Sequence, residues 1–424
     1  METILFILSS KDEQGLIEQA RKYLSLITST SNISNICNSL MMNYQMLEYK
    51  LIISCNNKDA LAALLESFIQ DKNKLKKNYT LYCKDNLLSL AKIAYVFSGQ
   101  GGQWFAMGRY LIYNHSVFRN SIKEIDLLLN DIAGWSLFSE MLKNKTESLV
   151  NKTEIAQLAI FAIQVSLEKL LRHYGVKAEG IVGHSLGEIA AAYSAGAFSL
   201  KEAIYLTYHR GRIQAKQASS GKMLAISISL EEAKKEIEKY NNKVSIATIN
   251  GPSFLTISGD TDILIKLAKQ YTEKGCFTRF VNVEVPYHSY HMDILKEELE
   301  KYLGKILAKP VVTPLYSTVS AQKENGLHLT GDYWFRNVRE PVLFTDTINL
   351  MINDGFNLFI EIGPHPLLVN NMYTIFNEKS YHGVSLALMN RKFEDEESYF
   401  IQGLGRLMSL GIGMNNNNIL INSE

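Results

Sequence analysis

Apolar and polar positions in the first 90 residues predict a small α/β unit. The short apolar runs ILFILSS and YKLIISC are typical of β-strands. Each run precedes a segment whose apolar residues recur at helical spacing, KDEQGLIEQARKYLSLI and NKDALAALLESFIQ, and Asn57 stands at the N-cap of the second. The basic run DKNKLKKN at 71–78 is then a solvated connector that leads out of this unit.

The pattern changes after residue 91. Apolar strands alternate with helical segments from KIAYVF through TEIAQLAIFAIQVSLEKLLRHYG to the strand IVG, and FNLFIEIG predicts a later strand. Strands that alternate with helices indicate a parallel sheet with crossover helices. We therefore expect residues 91–221 and 286–410 to form a large α/β subdomain.

Residues 222–285 follow a different order. A strand, a helix, two strands, a second helix and a closing strand FTRFVNVEV (277–285) succeed one another, which is the βαββαβ order of a ferredoxin-like fold. We expect this segment to be a small subdomain inserted in the large one. The tail, 411–424, ends in NNNNILINSE and is expected to fray.

Composition narrows the class of protein. Of the 424 residues, 46% are apolar and 21% are charged, as in a folded protein with a full core, and the net charge of +1 argues against a nucleic-acid partner. No apolar run reaches the ~18 residues of a membrane span, and the N-terminus lacks the basic start and cleavage site of a signal peptide. The four cysteines show no paired spacing, so we expect no metal site and a reducing, cytoplasmic setting.

The run GHSLG at 183–187 is a G-x-S-x-G motif between an apolar strand and a helix. In that context Ser185 lies on a sharp turn with its hydroxyl exposed, as in an α/β-hydrolase-like fold. The N–H of Leu186, at the helix start, would stabilise an oxyanion, and Gln100 in SGQGGQW would supply a second N–H. The alternatives are a tight turn with a buried serine and a glycine-rich connector at Gln100.

A serine nucleophile needs a base, and three of the nine histidines are candidates. His184 adjoins the serine, so its side chain should leave the turn in another direction and line the pocket at most. His288 and His291 lie in VPYHSYHMD at the exit of the small subdomain, and His365 lies in IGPHPLL. The residues alone leave the choice open, and no Asp or Glu stands out as a third triad member.

Two arginines, Arg210 and Arg212, lie in the predicted helix LKEAIYLTYHRGRIQ that follows the serine. An arginine that faces the cleft would bind a substrate carboxylate through two parallel hydrogen bonds. The other would lie on a solvated helix face. The spacing does not decide which is which.

Taken together, these motifs resemble the acyltransferase domain of type I polyketide synthases, which is related to the malonyl-CoA:acyl-carrier-protein transacylases. The resemblance covers nearly the whole chain, through FSGQGGQW, GHSLGEIAAAYSAGAFS, NGPSFLTISGD, VPYHSYHM, YWFRNVREPVLF and EIGPHPLL. An arginine 25 residues after the serine and a histidine 103 residues after it belong to the same pattern. Residues 1–90 resemble the linker domain between a ketosynthase and its acyltransferase.

The resemblance implies a role for each matching residue. Ser185 matches the acylated nucleophile and His288 its general base, which decides among the histidines. Asn337, in FRNVREPV, matches the position whose main-chain carbonyl orients that histidine in place of an acid. Arg210 matches the residue that holds the free carboxylate of a malonyl-type extender unit.

The resemblance also implies an oxyanion hole and a selectivity pocket. Gln100 and Leu186 match the positions whose main-chain N–H groups form the oxyanion hole. Malonyl-selective relatives have an apolar residue after the nucleophile and a His-Ala-Phe-His tetrapeptide, whereas this chain has Leu186 and Val-Pro-Tyr-His, which ends in Tyr287 and the histidine. The bulk of Tyr287 would crowd an α-methyl branch, so malonyl is preferred. His184 and Asn250 are expected to line the same pocket.

The function implied is acyl transfer from malonyl-CoA to the phosphopantetheine thiol of an acyl carrier protein by a ping-pong route. No bound metal or cofactor is expected, since coenzyme A and the carrier protein bring the phosphopantetheine. A ketosynthase that docks on the linker is a further expected partner, whereas nucleic acid and membrane are not. The alternatives are a methylmalonyl or starter-unit acyltransferase, a serine hydrolase, and a non-catalytic scaffold module.

Overall fold

The structure, a computed structural model, describes residues 4–29, 32–45, 47–71, 80–84, 91–393 and 396–415, with the backbone alone at 80–84. Most of the predicted basic connector and the asparagine-rich end lie outside these ranges. Within them, no helix combines the length and hydropathy that a bilayer span requires.

The strands are β1 (Ile4–Ser10), β2 (Tyr49–Cys55), β3 (Thr80–Lys84), β4 (Ile93–Phe97), β5 (Gly180–Gly183), β6 (Lys222–Ile226), β7 (Val244–Gly251), β8 (Phe254–Gly259), β9 (Thr278–Phe280), β10 (Leu315–Ser317), β11 (Gln322–Glu324), β12 (Leu358–Ile362) and β13 (Val384–Ala387). The α-helices are α1 (Glu13–Ser29), α2 (Ile33–Met42), α3 (Lys58–Gln70), α4 (Arg109–Asn114), α5 (Ser116–Ala133), α6 (Leu137–Leu142), α7 (Thr153–His173), α8 (Gly187–Ser194), α9 (Leu200–Gln214), α10 (Leu230–Ile237), α11 (Thr261–Glu273), α12 (Lys296–Leu303), α13 (Gly331–Arg339), α14 (Phe344–Asn353), α15 (Val369–Glu378) and α16 (Glu396–Ser409). They form three sheets with packed helices.

The N-terminal unit is an antiparallel sheet in the order β1-β2-β3. Alternate residues of its strands face opposite sides, so Phe6 and Leu51 pack with α1 and α3, whereas Ile7 and Ile52 belong to the core of the large body. Helix α16 covers this second face. At Gly405 the two elements are so close that a Cβ atom would lie 2.6 Å from Ile52 Cγ2.

The large sheet has the order β11-β10-β5-β4-β12-β13, and every pairing is parallel except that of β10 with β11. On β4, Tyr95 and Phe97 pack on the side of α7, and Ala94 and Val96 pack on the side of α14 and α15. Helices thus cover both faces, which confirms the predicted α/β class. The chain enters the sheet at β4 and adds strands on both sides of it, so a crevice is expected beyond the carboxyl end of β4.

The small sheet is antiparallel in the order β7-β8-β6-β9, with α10 and α11 on one face. This strand order and the βαββαβ sequence agree with the predicted ferredoxin-like subdomain. A parallel bridge between Thr248 and Val342 connects β7 to the large body. The boundaries between the three units stay predictions.

The predicted closing strand of the small subdomain, 277–285, is wrong in its extent. Only Thr278–Phe280 forms the strand β9. Two flanking backbone bonds extend its pairing, from the N–H of Ser227 to the carbonyl of Phe277 and from the N–H of Val281 to the carbonyl of Met223. The chain then leaves the sheet, and Pro286 has no N–H with which to continue a ladder. This departure brings the following residues to the crevice of the large sheet.

Candidate active site

The motif at 183–187 forms a strained turn at the carboxyl end of β5. Ser185 has a φ of +52°, a left-handed conformation that is uncommon for a residue with a side chain. Both glycines are required by close approach: a Cβ at Gly183 would lie 2.3 Å from Glu188 Cα, and one at Gly187 would lie 2.2 Å from the carbonyl oxygen of Phe97. The turn thus places the serine between the large sheet and the start of α8.

His288 is the histidine that contacts this serine. Ser185 Oγ lies 2.8 Å from His288 Nε2, and His288 Nδ1 lies 2.7 Å from the carbonyl oxygen of Glu340. Since a carbonyl can only accept, Nδ1 carries the proton and Nε2 is free to accept the serine proton. Burial, and then the charge of Arg210, lower the pKa of His288 to about 3, so its imidazole is neutral at pH 7.

The expectation that the Asn337 carbonyl orients the histidine is wrong. The carbonyl that accepts the Nδ1 proton belongs to Glu340, the residue that follows the last turn of α13. Glu340 is extended (φ −82°, ψ 161°), as expected for a residue before a proline, here Pro341. Its carbonyl is therefore outside the helix, whereas Asn337 remains within it.

Asn337 reaches the site through its side-chain amide instead. Its Nδ2 donates to the carbonyl of Ser185 at 3.1 Å and to Glu188 Oε2 at 2.8 Å, and its Oδ1 accepts from Arg210 Nη2 at 3.3 Å. The amide therefore holds the strained turn in place through its hydrogen bond to the main chain of Ser185. Substrate contact is not required for this role.

Glu188, a buried carboxyl in the first turn of α8, was missed in the sequence analysis. It accepts hydrogen bonds from the N–H and hydroxyl of Thr318, from the Tyr333 hydroxyl and from Asn337. Burial raises the pKa of Glu188, while these hydrogen bonds oppose the shift. All of its described contacts lie away from His288, so it holds the turn in place and is not the acid of a triad. An acidic residue at a helix start was the available signal.

Arg210 is buried beside the serine, with 1% of its surface exposed. Its Nη2 donates to Ser185 Oγ at 3.3 Å, and its Nη1 donates to Gln157 Oε1 and Gln214 Oε1, each at 3.0 Å. Its Nε–H is buried without a partner, and no carboxylate of the described residues lies within ion-pair distance of the guanidinium. Burial lowers its pKa to about 10, so it keeps its charge at pH 7. A buried cation without an acid is costly unless an anionic group arrives.

Arg212, on the same helix, is the solvated member of the pair. Its Nη1 lies 3.2 Å from Glu298 Oε1, and its Nε donates to His209 Nδ1 at 2.9 Å. The guanidinium also lies over the Tyr302 ring, 4.5 Å from its centroid. Arg212 thus takes no part in the crevice.

A cavity of about 200 Å³ opens beside the serine between the large and small sheets. Six of the predicted site residues contribute to its polar lining, together with Thr248 and Thr256: they are Gln100, His184, Ser185, Asn250, Tyr287 and His288. His184 Nε2 lies 2.8 Å from Asn250 Oδ1, and burial lowers the pKa of its imidazole. Its apolar lining includes Met223, Val281, Val283, Leu367 and Leu368. The cavity has space for a small acyl group next to the hydroxyl.

Leu186 behaves differently from the expectation that its side chain faces the pocket. Its side chain is buried, and among the described residues it is absent from the cavity lining. Its backbone lies at the start of α8, next to Ser185, where helix N–H groups are unsatisfied. The oxyanion role predicted for Leu186 and Gln100 stays a prediction.

The other two candidate histidines lie away from the serine. His291 Nε2 lies 3.2 Å from Asp260 Oδ1, and its ring packs on that of Tyr290. His365 is buried near Gly102, and burial followed by the charges of two basic neighbours lowers its pKa to about 4. Neither has a described hydrogen bond to the serine.

The chain is similar in sequence to a family of known proteins. Residues 94–411 match the family model described as acyl transferase domain. The polyketide synthase GfsB of Streptomyces halstedii is 29% identical over 418 residues, which cover 97% of this chain and 7% of that protein. The highly reducing polyketide synthase sphB of Aspergillus fumigatus is 34% identical over 334 residues, which cover 76% of this chain and 13% of that protein. The chain thus spans a small fraction of the length of these relatives.

Solved structures share the fold. The acyltransferase domain from module 8 of the salinomycin polyketide synthase superposes with a TM-score of 0.91, at 23% identity and over 98% of both chains. A loading acyltransferase from the avermectin modular polyketide synthase superposes with a TM-score of 0.71, at 28% identity, over 74% of this chain and 99% of that one. The first likeness includes the N-terminal unit as well as the two subdomains.

Proposed function

Because the chain belongs to the acyl transferase domain family, we propose that it moves a malonyl group from coenzyme A to the phosphopantetheine thiol of an acyl carrier protein. The relatives are polyketide synthases, so the carrier protein of such a synthase is the proposed acceptor. A ketosynthase is the proposed partner of the N-terminal unit. Phosphopantetheine arrives with coenzyme A and with the carrier, and the residues of the chain supply the rest of the chemistry.

One observation carries the proposal: a buried arginine, with no carboxylate partner among the described residues, lies 3.3 Å from the hydroxyl of a serine that contacts a histidine. The Ser185–His288 pair supports nucleophilic attack on an acyl group. Arg210 supports an acyl group that bears its own negative charge. Its Nε–H has no partner among the described residues and forms one edge of a guanidinium fork with Nη2, whose bonds to Ser185 Oγ and Asn337 Oδ1 are both 3.3 Å long. Malonyl has a thioester at one end and a carboxylate at the other.

The first half of the proposed reaction acylates the serine. Ser185 Oγ attacks the thioester carbon while its proton passes to His288 Nε2, and the Nδ1–H bond to the Glu340 carbonyl stabilises the imidazolium that forms. Main-chain N–H groups of Gln100 and Leu186 are proposed to hold the oxyanion. The carbon–sulfur bond then breaks, and His288 returns the proton to the sulfur of coenzyme A.

The second half repeats the steps with a different nucleophile. The carrier thiol gives its proton to His288 Nε2 and attacks the seryl ester carbon. The carbon–oxygen bond breaks, and Ser185 Oγ recovers the proton. Throughout, the carboxylate bound at Arg210 fixes the distance between the ester carbon and the attacking atom.

The proposal is tested by following both halves by intact-mass spectrometry. The chain incubated with malonyl-CoA should gain the mass of one malonyl group, and addition of a phosphopantetheinylated carrier protein should move that mass to the carrier. The same sample without carrier measures loss of the acyl group to water. Loss to water as fast as transfer to the carrier would identify a hydrolase, and absence of any adduct would support a scaffold.

The ring of Tyr287 predicts the choice between malonyl and methylmalonyl. It lines the cavity beside His288 and is buried, so an α-methyl branch has to compete with it for space. With both acyl-CoA substrates in one tube, we expect malonyl to be loaded in preference by about tenfold or more, the value of one methyl group in a pocket. The measurement is the ratio of the two adduct masses.

Substitution at the same position provides the control. Tyr287→Ala should shift the adduct ratio toward methylmalonyl by about tenfold, whereas Tyr287→Phe keeps the bulk and should leave the ratio unchanged. A ratio that is the same in the alanine variant and the wild type would remove the selectivity role from this ring.

A further inference from the structure

The side-chain amide of Gln157 connects Arg210 to Gln100 at the wall of the cavity, and that of Gln214 contacts both Arg210 and Gln157. Gln157 Oε1 accepts from Arg210 Nη1 at 3.0 Å, and Gln157 Nε2 donates to Gln214 Oε1 at 2.8 Å and to Gln100 Oε1 at 3.2 Å. Gln214 Oε1 also accepts from Arg210 Nη1 at 3.0 Å. Gln157 and Gln214 are fully buried, whereas Gln100 lines the cavity.

The charge of Arg210 fixes the orientation of each amide in this series. A guanidinium can only donate, so the oxygen of Gln157 has to face it, and a flipped amide would place N–H against N–H. The nitrogen of Gln157 therefore faces Gln100, which has to present its own oxygen in turn. The nitrogen of Gln100 is left on the opposite side of its amide.

Tyr287 secures the same orientation from a second direction. Its hydroxyl donates to Gln100 Oε1 at 2.8 Å and lies 3.1 Å from Thr153 Oγ1. Gln100 Oε1 thus receives two donors. Gln100 Nε2 has no hydrogen-bond partner in the described part of the chain, although its residue lines the cavity next to the serine. Two N–H hydrogens at the cavity wall are available to a bound molecule.

We propose that Gln100 Nε2 donates a hydrogen bond to the free carboxylate of the acyl group, which it holds together with Arg210. This inference rests on the proposed function and adds a specific binding role for the side chain of Gln100, separate from its main-chain N–H. Gln157 and the Tyr287 hydroxyl act as positioning groups that hold the amide nitrogen toward the carboxylate. The site thus recognises an anionic acyl end with a charged and a neutral donor.

Two substitutions at Gln100 separate this role from a role in packing. Gln100→Leu removes the donor and keeps the main-chain N–H, and we expect malonyl loading, as kcat/KM, to fall by about tenfold to a hundredfold, the value of a hydrogen bond to a charged group. Gln100→Glu has the shape of glutamine and still accepts from Gln157 and Tyr287, but it places a second carboxylate oxygen at the wall. Repulsion should make it a worse malonyl acceptor than the leucine variant, by a further fivefold or more. Acetyl-CoA, which lacks the carboxylate, should lose much less loading than malonyl-CoA in the leucine variant, so the ratio of malonyl to acetyl loading is the measurement.

The order of the variants decides the proposal. If only the shape of the side chain mattered, the glutamate variant would load malonyl better than the leucine variant, and that order would overturn the proposal. Equal losses of malonyl and acetyl loading would also overturn it. Gln100→Met replaces the leucine variant if thermal unfolding shows that the latter does not fold. Failure of the proposed function looks different, since wild type itself would then gain no malonyl adduct.

Discussion

Replacement of Ser185 by alanine is expected to abolish the acyl adduct. The substitution removes the hydroxyl oxygen that lies 2.8 Å from His288 Nε2, so the proposed nucleophile is lost, and loading should fall by at least ~10⁴-fold. Intact-mass spectrometry after incubation with malonyl-CoA measures the effect directly. Because alanine lacks only the hydroxyl, the strained turn and the cavity should persist.

The serine at the end of α8, the helix that follows Ser185, provides the matched control. Ser194 donates its hydroxyl to Glu168 at 2.6 Å and lies at the far end of α8, so Ser194→Ala should load like wild type. An adduct of equal size and rate in the Ser185 variant would show that another residue is acylated. The proposed mechanism would then be wrong at its first step.

Replacement of Arg210 by alanine is expected to separate malonyl from acetyl loading. Malonyl-CoA should lose about a hundredfold or more in kcat/KM, because two charge-assisted hydrogen bonds to its carboxylate are removed. Acetyl-CoA has no carboxylate, so its loading should fall much less, and the ratio of the two is the measurement. A ratio is informative here because the buried guanidinium also contacts Ser185 and Gln157, and loss of those contacts affects both substrates.

Arg212→Ala is the corresponding control on the same helix. Arg212 is paired with Glu298 at the surface, so its loss should leave the malonyl-to-acetyl ratio unchanged. Equal losses of malonyl and acetyl loading in the Arg210 variant would take away its role as a carboxylate-binding residue. Methylmalonyl loading should follow malonyl in either variant, since the two share the carboxylate.

Much of the fold was predictable because its signals are local. Strand and helix periodicity placed the βαββαβ insert and the alternating strands of the large sheet, and glycine spacing marked the turn at Ser185. The end of the small subdomain could not be predicted from local signals. Residues 281–285 alternate apolar and polar positions as in a strand, yet the pairing with β6 ends at Val281, where the chain leaves the small sheet.

The site was predictable only where a side chain carries the chemistry. Ser185, His288 and Arg210 have recognisable residue types, and the structure brings all three together. The histidine is oriented by a main-chain carbonyl, which every residue possesses, so no residue type could mark Glu340. The role of Gln157 was equally hidden, because glutamine in a helix usually faces solvent. Glu188 was marked only by its place in the first turn of α8.

The contact between α16 and β2 has a consequence for how the chain unfolds. A helix near the carboxyl end closes the core of the amino-terminal sheet, and its Leu404 and Met408 share one continuous apolar cluster with Ile52 and with the large body. Removal of the first 90 residues would therefore expose the apolar face of α16 to water, so those residues do not form an independent domain. We expect the N-terminal sheet and α16 to unfold in a single cooperative transition, because neither can lose its packing without exposing the apolar surface of the other.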